Sequence, residues 1–145
     1  MKIDYTPFEK AIAQLEKSVG FYNSEMADEN YDLKEQFRAA VIQAFEYTYE
    51  LAYKMIRRQL EQIVPNPAEL KEISFMDLIR TGKEAGLVRE APNYREYREK
   101  RNITSHTYDE DKAEEIISVI DPFLQDMRFL LNELKKRNNV NNEAN

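Results

Sequence analysis

Apolar residues recur every three or four positions through most of this chain, and the pattern breaks at only a few places. Phe8, Ile12, Leu15 and Val19 form one stripe and predict a first helix over about Thr6 to Phe21. Gly20 sits near its end, and Asn23-Ser24 opens a polar connection. A second and longest helix is predicted from about Asp32 to Val64. Leu33, Phe37, Val41, Ala44, Thr48, Leu51, Met55 and Leu60 mark one face, which Ala40, Phe45, Tyr47, Ala52 and Ile56 widen. A helix apolar over so much of its circumference is central and touches several neighbours. Pro65-Asn66-Pro67 stops it, because proline cannot donate the helical hydrogen bond.

Three further helices follow. Ser74 is a good N-cap for a short one bearing Phe75, Leu78 and Ile79, punctuated by Gly82 and Gly86. The fourth begins near Pro92 and carries Tyr94, Tyr97, Arg98, Arg101 and Asn102. Its low apolar content places it at the surface or against a partner. The fifth is expected from about Asp109 to Lys136, with a stripe through Ile116, Ile120, Phe123, Met127, Leu130 and Leu134, and a kink at Pro122. The polar tail, residues 138–145, is expected to be disordered, leaving residues 1–137 as a single all-α domain.

Composition narrows the class. Three glycines and five prolines in 145 residues are too few turn residues for a many-stranded β protein. The absence of cysteine removes disulfides and thiolate metal sites and fits a cytoplasmic protein. Neither a signal-peptide pattern nor an apolar run of membrane length occurs. A formal net charge of −6 argues against coating nucleic acid non-specifically. It leaves room for a local site, since Arg89, Arg95, Arg98, Lys100 and Arg101 cluster ahead of an acidic run, Asp109 to Glu115.

The chemistry concentrates in one octet, Arg101-Asn102-Ile103-Thr104-Ser105-His106-Thr107-Tyr108, which holds the only histidine. On one continuous helix Tyr94, Arg98, Ser105 and Tyr108 would fall within about 60° of Arg101. Asn102 and His106 would follow at about 100° and 140°. That face suits a phosphate: Tyr94, Arg98 and Ser105 as substrate contacts, Arg101 as the cation, Asn102 to orient. Thr104 to Thr107 is weakly helical, so a break there would change these angles. Imidazoles titrate near neutrality and can take a proton from a ribose 2′-hydroxyl or return one to a leaving oxygen. An arginine holds phosphate and stabilises charge building on it. One histidine does not easily serve as both acid and base, and two copies across a dimer axis would solve this. The pattern calls for no metal and no cofactor: no ligand cluster, glycine-rich phosphate loop or nucleophilic triad is present. Glu46 and Glu50 read as an ion-paired helix face, and Tyr47, Tyr49 and Tyr53 as core and interface rather than a stacking platform.

Arg101-x4-His106-x-Tyr108 resembles the RX4HXY motif of the HEPN superfamily (higher eukaryotes and prokaryotes nucleotide-binding). Phe45-Glu46-Tyr47-Thr48-Tyr49-Glu50-Leu51-Ala52-Tyr53-Lys54 is similar to the second-helix signature of its nucleotidyltransferase substrate-binding protein branch. The resemblance covers nearly the whole chain. It implies an up-and-down antiparallel four-helix bundle with an additional short helix, and a homodimer with the octet near its cleft. It also implies an endoribonuclease toxin that a cognate minimal nucleotidyltransferase neutralises by placing AMP on the motif tyrosine. By position, Arg101, His106 and Asn102 would be catalytic and Tyr108 the modification acceptor. The other expectation is a non-catalytic nucleotide- or substrate-binding subunit of a two-component nucleotidyltransferase, and a third is a purely structural helical dimer.

Overall fold

The computed structural model describes the backbone of residues 2–144 and the side chains of residues 2–139. Among these, seven α-helices and two 3-10 turns occur and no strand. Helix α1 spans Thr6–Tyr22, α2 Glu25–Asp28, α3 Tyr31–Ile63, α4 Phe75–Glu84, α5 Ala91–Asn102, α6 Glu110–Ile117 and α7 Ile120–Ala144; the 3-10 turns are Pro67–Lys71 and Thr104–His106. The first two long helices fall within a residue of their expected bounds. The short α2, capped by Ser24 through its hydroxyl to the Ala27 amide, was not legible as a helix in its polar sequence.

Helix α3, 33 residues and so about 50 Å long, is the axis of the molecule. Residue pairing gives the topology. Phe21 stacks on Phe37 and Thr48 Oγ1 donates to Ala11 O, so α1 runs antiparallel to α3. Arg101 reaches Glu50 while Arg98 lies over Phe75, which stacks on Tyr53 further along α3, so α5 returns antiparallel to α3. Phe123 meets both Phe45 and Tyr97 edge-on, Asp126 then reaches Asn93, and Arg128 and Lys135 pair with Glu16 and Glu9, so α7 runs antiparallel to α5 and α1 and parallel to α3. This is the up-and-down four-helix bundle, with α4 as the additional short helix. Phe8, Leu15, Phe45, Ile56, Leu78, Tyr97, Ile116 and Phe123 fill one shared core.

Three expectations change. The fifth helix is not kinked but broken. Ser118 N still bonds Glu114 O, and a new helix starts at Ile120. Pro122 then sits in the first turn of α7, where its missing amide is not needed and its ring avoids an upstream helical carbonyl. Helix α5 is not a surface element throughout, because Tyr94 and Tyr97 are buried. Asn138, where the polar tail begins, is buried, accepts from Ile3 N and donates to Ile3 O. The side chains beyond Asn139, and Asn145 as a whole, lie outside the described residues. Tyr47, expected in the apolar face of α3, is exposed instead.

Candidate active site

The octet is built as a helix end, a tight turn and a new helix start. Helix α5 stops at Asn102, and Ile103 leaves helical geometry. Thr104 Oγ1 donates to Arg101 O at 2.9 Å, satisfying a terminal carbonyl that the helix itself cannot. His106 N bonds Ile103 O, and Asp109 N bonds His106 O, which closes the turn. Asp109 then caps α6, its carboxylate accepting from Asp111 N at 3.0 Å and Lys112 N at 3.4 Å. From the far side Arg38 on α3 holds α6 through Glu114 at 2.8 Å, and Tyr31 Oη donates to Glu110 at 2.7 Å. The acidic run after the motif is therefore used to fasten the turn.

The break decides which side chains meet. Residues two apart on a helix point away from one another. In this turn His106 Nδ1 lies 3.1 Å from Tyr108 Oη, with the rings edge-on at 5.8 Å. The hydroxyl donates when Nδ1 is unprotonated and accepts when it carries hydrogen. Either way Nε2 is left for another partner. Tyr108 is 83% exposed, so its oxygen stands in solvent while touching the imidazole.

Arg101 is committed to carboxylates. Its Nε donates to Glu50 Oε1 at 2.8 Å and its Nη2 lies 3.5 Å from Glu46 Oε1. The hydrogen bond donated to Glu50, with the charges of both glutamates behind it, raises the guanidinium above its ordinary pKa. Glu46 and Glu50 are thus an ion-paired helix face, and their partner is the motif arginine. Their spacing of four on the signature helix was the available signal. Both also line an open groove of about 540 Å³ between α1 and α3, with Gln14, Gln43 and Tyr47. The Arg101–Glu50 pair is one-third to one-half exposed, and such pairs contribute under about 1 kcal/mol. Glu50→Gln is accordingly expected to melt within about 3 °C of wild type by circular dichroism. A larger fall would make the pair a support of the fold.

The remaining expected contacts divide. Asn102, Ser105 and Arg98 are exposed near the turn. Tyr94 is not: it is 3% exposed, and burial pushes its phenol well above the usual range. Its hydroxyl has no partner among the described residues, so it cannot serve as a substrate contact in this arrangement. The continuous-helix geometry is replaced by the turn, since α5 ends before Ser105. Among the described residues no group of three or more His, Cys, Asp or Glu is placed to hold a metal ion, and no helix is long and apolar enough to cross a membrane.

Fold and site together define an all-α bundle that presents an arginine–histidine–tyrosine turn at the end of its third long helix. The family model described as nucleotidyltransferase substrate binding protein like matches residues 3–136. The chain belongs to that family, a branch of the HEPN superfamily. It is 43% identical over 100 residues to a protein of Haemophilus influenzae named probable ribonuclease HepT, covering 69% of this chain and 68% of that one. A solved Haemophilus influenzae structure, described as revealing the fold of a substrate-binding domain of a nucleotidyltransferase, superposes with a TM-score of 0.86. It is 34% identical, over 91% of this chain and 99% of its own. A structure from Thermus thermophilus gives 0.68 at 29% identity, over 88% and 98%.

Proposed function

We propose that this protein is a metal-independent endoribonuclease toxin, neutralised by a cognate minimal nucleotidyltransferase that adenylylates Tyr108. The observation that carries the reading is the turn itself, where an exposed tyrosine hydroxyl touches the imidazole of the motif histidine. A relative named probable ribonuclease supports it. In the reaction, His106 Nε2 takes the proton of a ribose 2′-hydroxyl. The 2′-oxygen bonds to the adjacent phosphorus and the bond to the 5′-oxygen breaks, leaving a 2′,3′-cyclic phosphate and a 5′-hydroxyl that must regain a proton. The second copy in a homodimer supplies that proton from its own His106. Arg101 turns its guanidinium from the glutamates to the phosphate and stabilises the charge there, and the exposed Asn102 orients it. Transfer of AMP from ATP to Tyr108 Oη releases pyrophosphate and sets a charged, bulky group beside the imidazole. That occupies the space an RNA phosphate would need.

The test is cleavage of RNA by purified protein with chelator present throughout. Wild type is expected to cleave, and His106→Ala to fall by at least about 100-fold with dimer and fold intact. Undiminished cleavage by His106→Ala would remove the assignment. A second reading is favoured by one observation, the engagement of Arg101 by two carboxylates, together with the family's description. In it the chain is a non-catalytic nucleotide- or substrate-binding subunit of a two-component nucleotidyltransferase. No cleavage by either protein, with labelling of Tyr108 by a co-encoded nucleotidyltransferase, selects that reading.

A further inference from the structure

Beyond the motif, the same stripe of α3 continues. Glu46, Glu50, Tyr53 and Arg57 recur at spacings of four, three and four, and so lie along one side of the helix. The first two hold Arg101. The next two build a different structure. Tyr53 stacks on Phe75 of α4 with ring centroids 5.6 Å apart and planes 13° from parallel. The Arg57 guanidinium lies 5.1 Å over the Tyr53 ring and donates to its hydroxyl at 2.5 Å. The Arg98 guanidinium, one turn before Arg101 on α5, lies 4.8 Å over the Phe75 ring.

Two guanidiniums are thus mounted on two stacked rings that join α3, α4 and α5. Charge balance and aromatic mounting together set them apart. Among the described residues Arg38, Arg80, Arg89, Arg101, Arg128 and Arg137 each meet a carboxylate, whereas Arg57, Arg58, Arg95 and Arg98 meet none; of these four, Arg57 and Arg98 are the two that lie over aromatic rings. In a chain with 27 acidic side chains against 21 basic ones, these are two cations that no carboxylate neutralises and that stacked rings hold in place. Stacking on an aromatic face fixes the plane of a guanidinium and leaves N–H groups along its edge for a phosphate. The rings are themselves half-buried beneath the cations, which leaves them poorly placed to stack on bases.

We propose that Arg57 and Arg98 form a second phosphate-binding subsite, which grips the RNA backbone at a distance from the bond to be cut. The inference rests on the ribonuclease reading and deepens it. From Glu50, beside Arg101, to Arg57 is about 10 Å along α3, far enough apart to meet a different phosphate of the strand. The contact is to phosphate, so it positions the strand without choosing its sequence. It also reconciles an acidic protein with an RNA substrate: a short row of unpaired cations replaces a broad basic surface.

The experiment measures binding of roughly 12-nucleotide oligouridylate and oligoadenylate to the His106→Ala protein by fluorescence anisotropy across a salt series. Arg57→Gln and Arg98→Gln, each made in that background, are expected to weaken both RNAs by about tenfold. Each should also reduce the salt slope of log affinity by about 0.7. Arg57→Lys keeps the charge and is expected to retain the slope, which separates a lost contact from a damaged fold. Unchanged affinity and slope in both glutamine variants, while wild type cleaves RNA, overturns the subsite alone. Unchanged RNA binding with lost binding of the nucleotidyltransferase would make this face a protein-docking surface and likewise overturn it. No RNA binding by the His106→Ala protein and no cleavage by wild type overturns the subsite and the ribonuclease reading together.

Discussion

Arg101→Lys is expected to reduce RNA cleavage by about 100-fold or more while leaving the melting temperature near that of wild type. Lysine keeps the positive charge, so a loss of this size would come from geometry. A guanidinium presents a planar fork that matches two phosphate oxygens, whereas an ammonium is a point charge on a flexible stem. The structure shows Arg101 using this fork already, with Nε on Glu50 and Nη2 on Glu46. These carboxylates hold the group in one orientation at the helix end and also compete with the substrate for it. Glu46→Gln and Glu50→Gln are therefore expected to lower the KM for RNA, because phosphate no longer displaces a charged partner. Steady-state cleavage of a fluorescent RNA measures all three variants. Activity of Arg101→Lys within tenfold of wild type would show that charge alone is needed and that the fork has no role.

The largest effect on stability is expected at Asp126, far from the motif in sequence. Its carboxylate is 2% exposed and is met from three residues. Arg89 donates through Nε at 3.1 Å and Nη2 at 2.7 Å, Asn93 Nδ2 lies at 3.3 Å and Tyr97 Oη donates at 2.6 Å. Burial and this bond together push the Tyr97 phenol well above its ordinary pKa. Asp126→Ala removes the acceptor and strands the Tyr97 hydroxyl in the core. Arg89 is less affected because it can turn to water. The cost should be about 3–4 kcal/mol, a fall of about 10 °C in Tm for a chain of this size. Tyr97→Phe alone should cost about 1–2 kcal/mol, and the double variant should lose less than the two singly added, since both act on one bond. A calorimetric Tm for Asp126→Ala within about 3 °C of wild type would refute this account.

These sites show what a linear reading reaches. The stripes of α1 and α3 were plain because each buries a continuous face, and period alone identifies such a helix. Helix α5 read as a surface element because only Ala91, Tyr94 and Tyr97 go inward and most of the rest is charged or polar. What makes burial of Tyr97 tolerable is Asp126, 29 residues later. An aspartate one position before Met127, on the apolar side of α7, was the visible trace of that partnership, but its partner could not be named. Tyr94 was placed on the motif face by the same helical angle that in the folded bundle turns it into the core.

By itself the sequence determined the all-α class, the order and approximate bounds of the long helices, and the octet proposed to carry the chemistry. Those features depend on local periodicity, on proline and on the identity of a few side chains, all of which are written in order along the chain. Only the tertiary structure decided how the octet is shaped. Helix α5 ends at Asn102, Asp109 caps α6, and Arg38 fastens α6 to α3, so His106 and Tyr108 meet where an unbroken helix would part them. It likewise decided that Arg101 faces Glu46 and Glu50, and that Arg57 and Arg98 share one pair of stacked rings. Such contacts join residues dozens of positions apart. Their partners are chosen by how the helices pack, which no local pattern records.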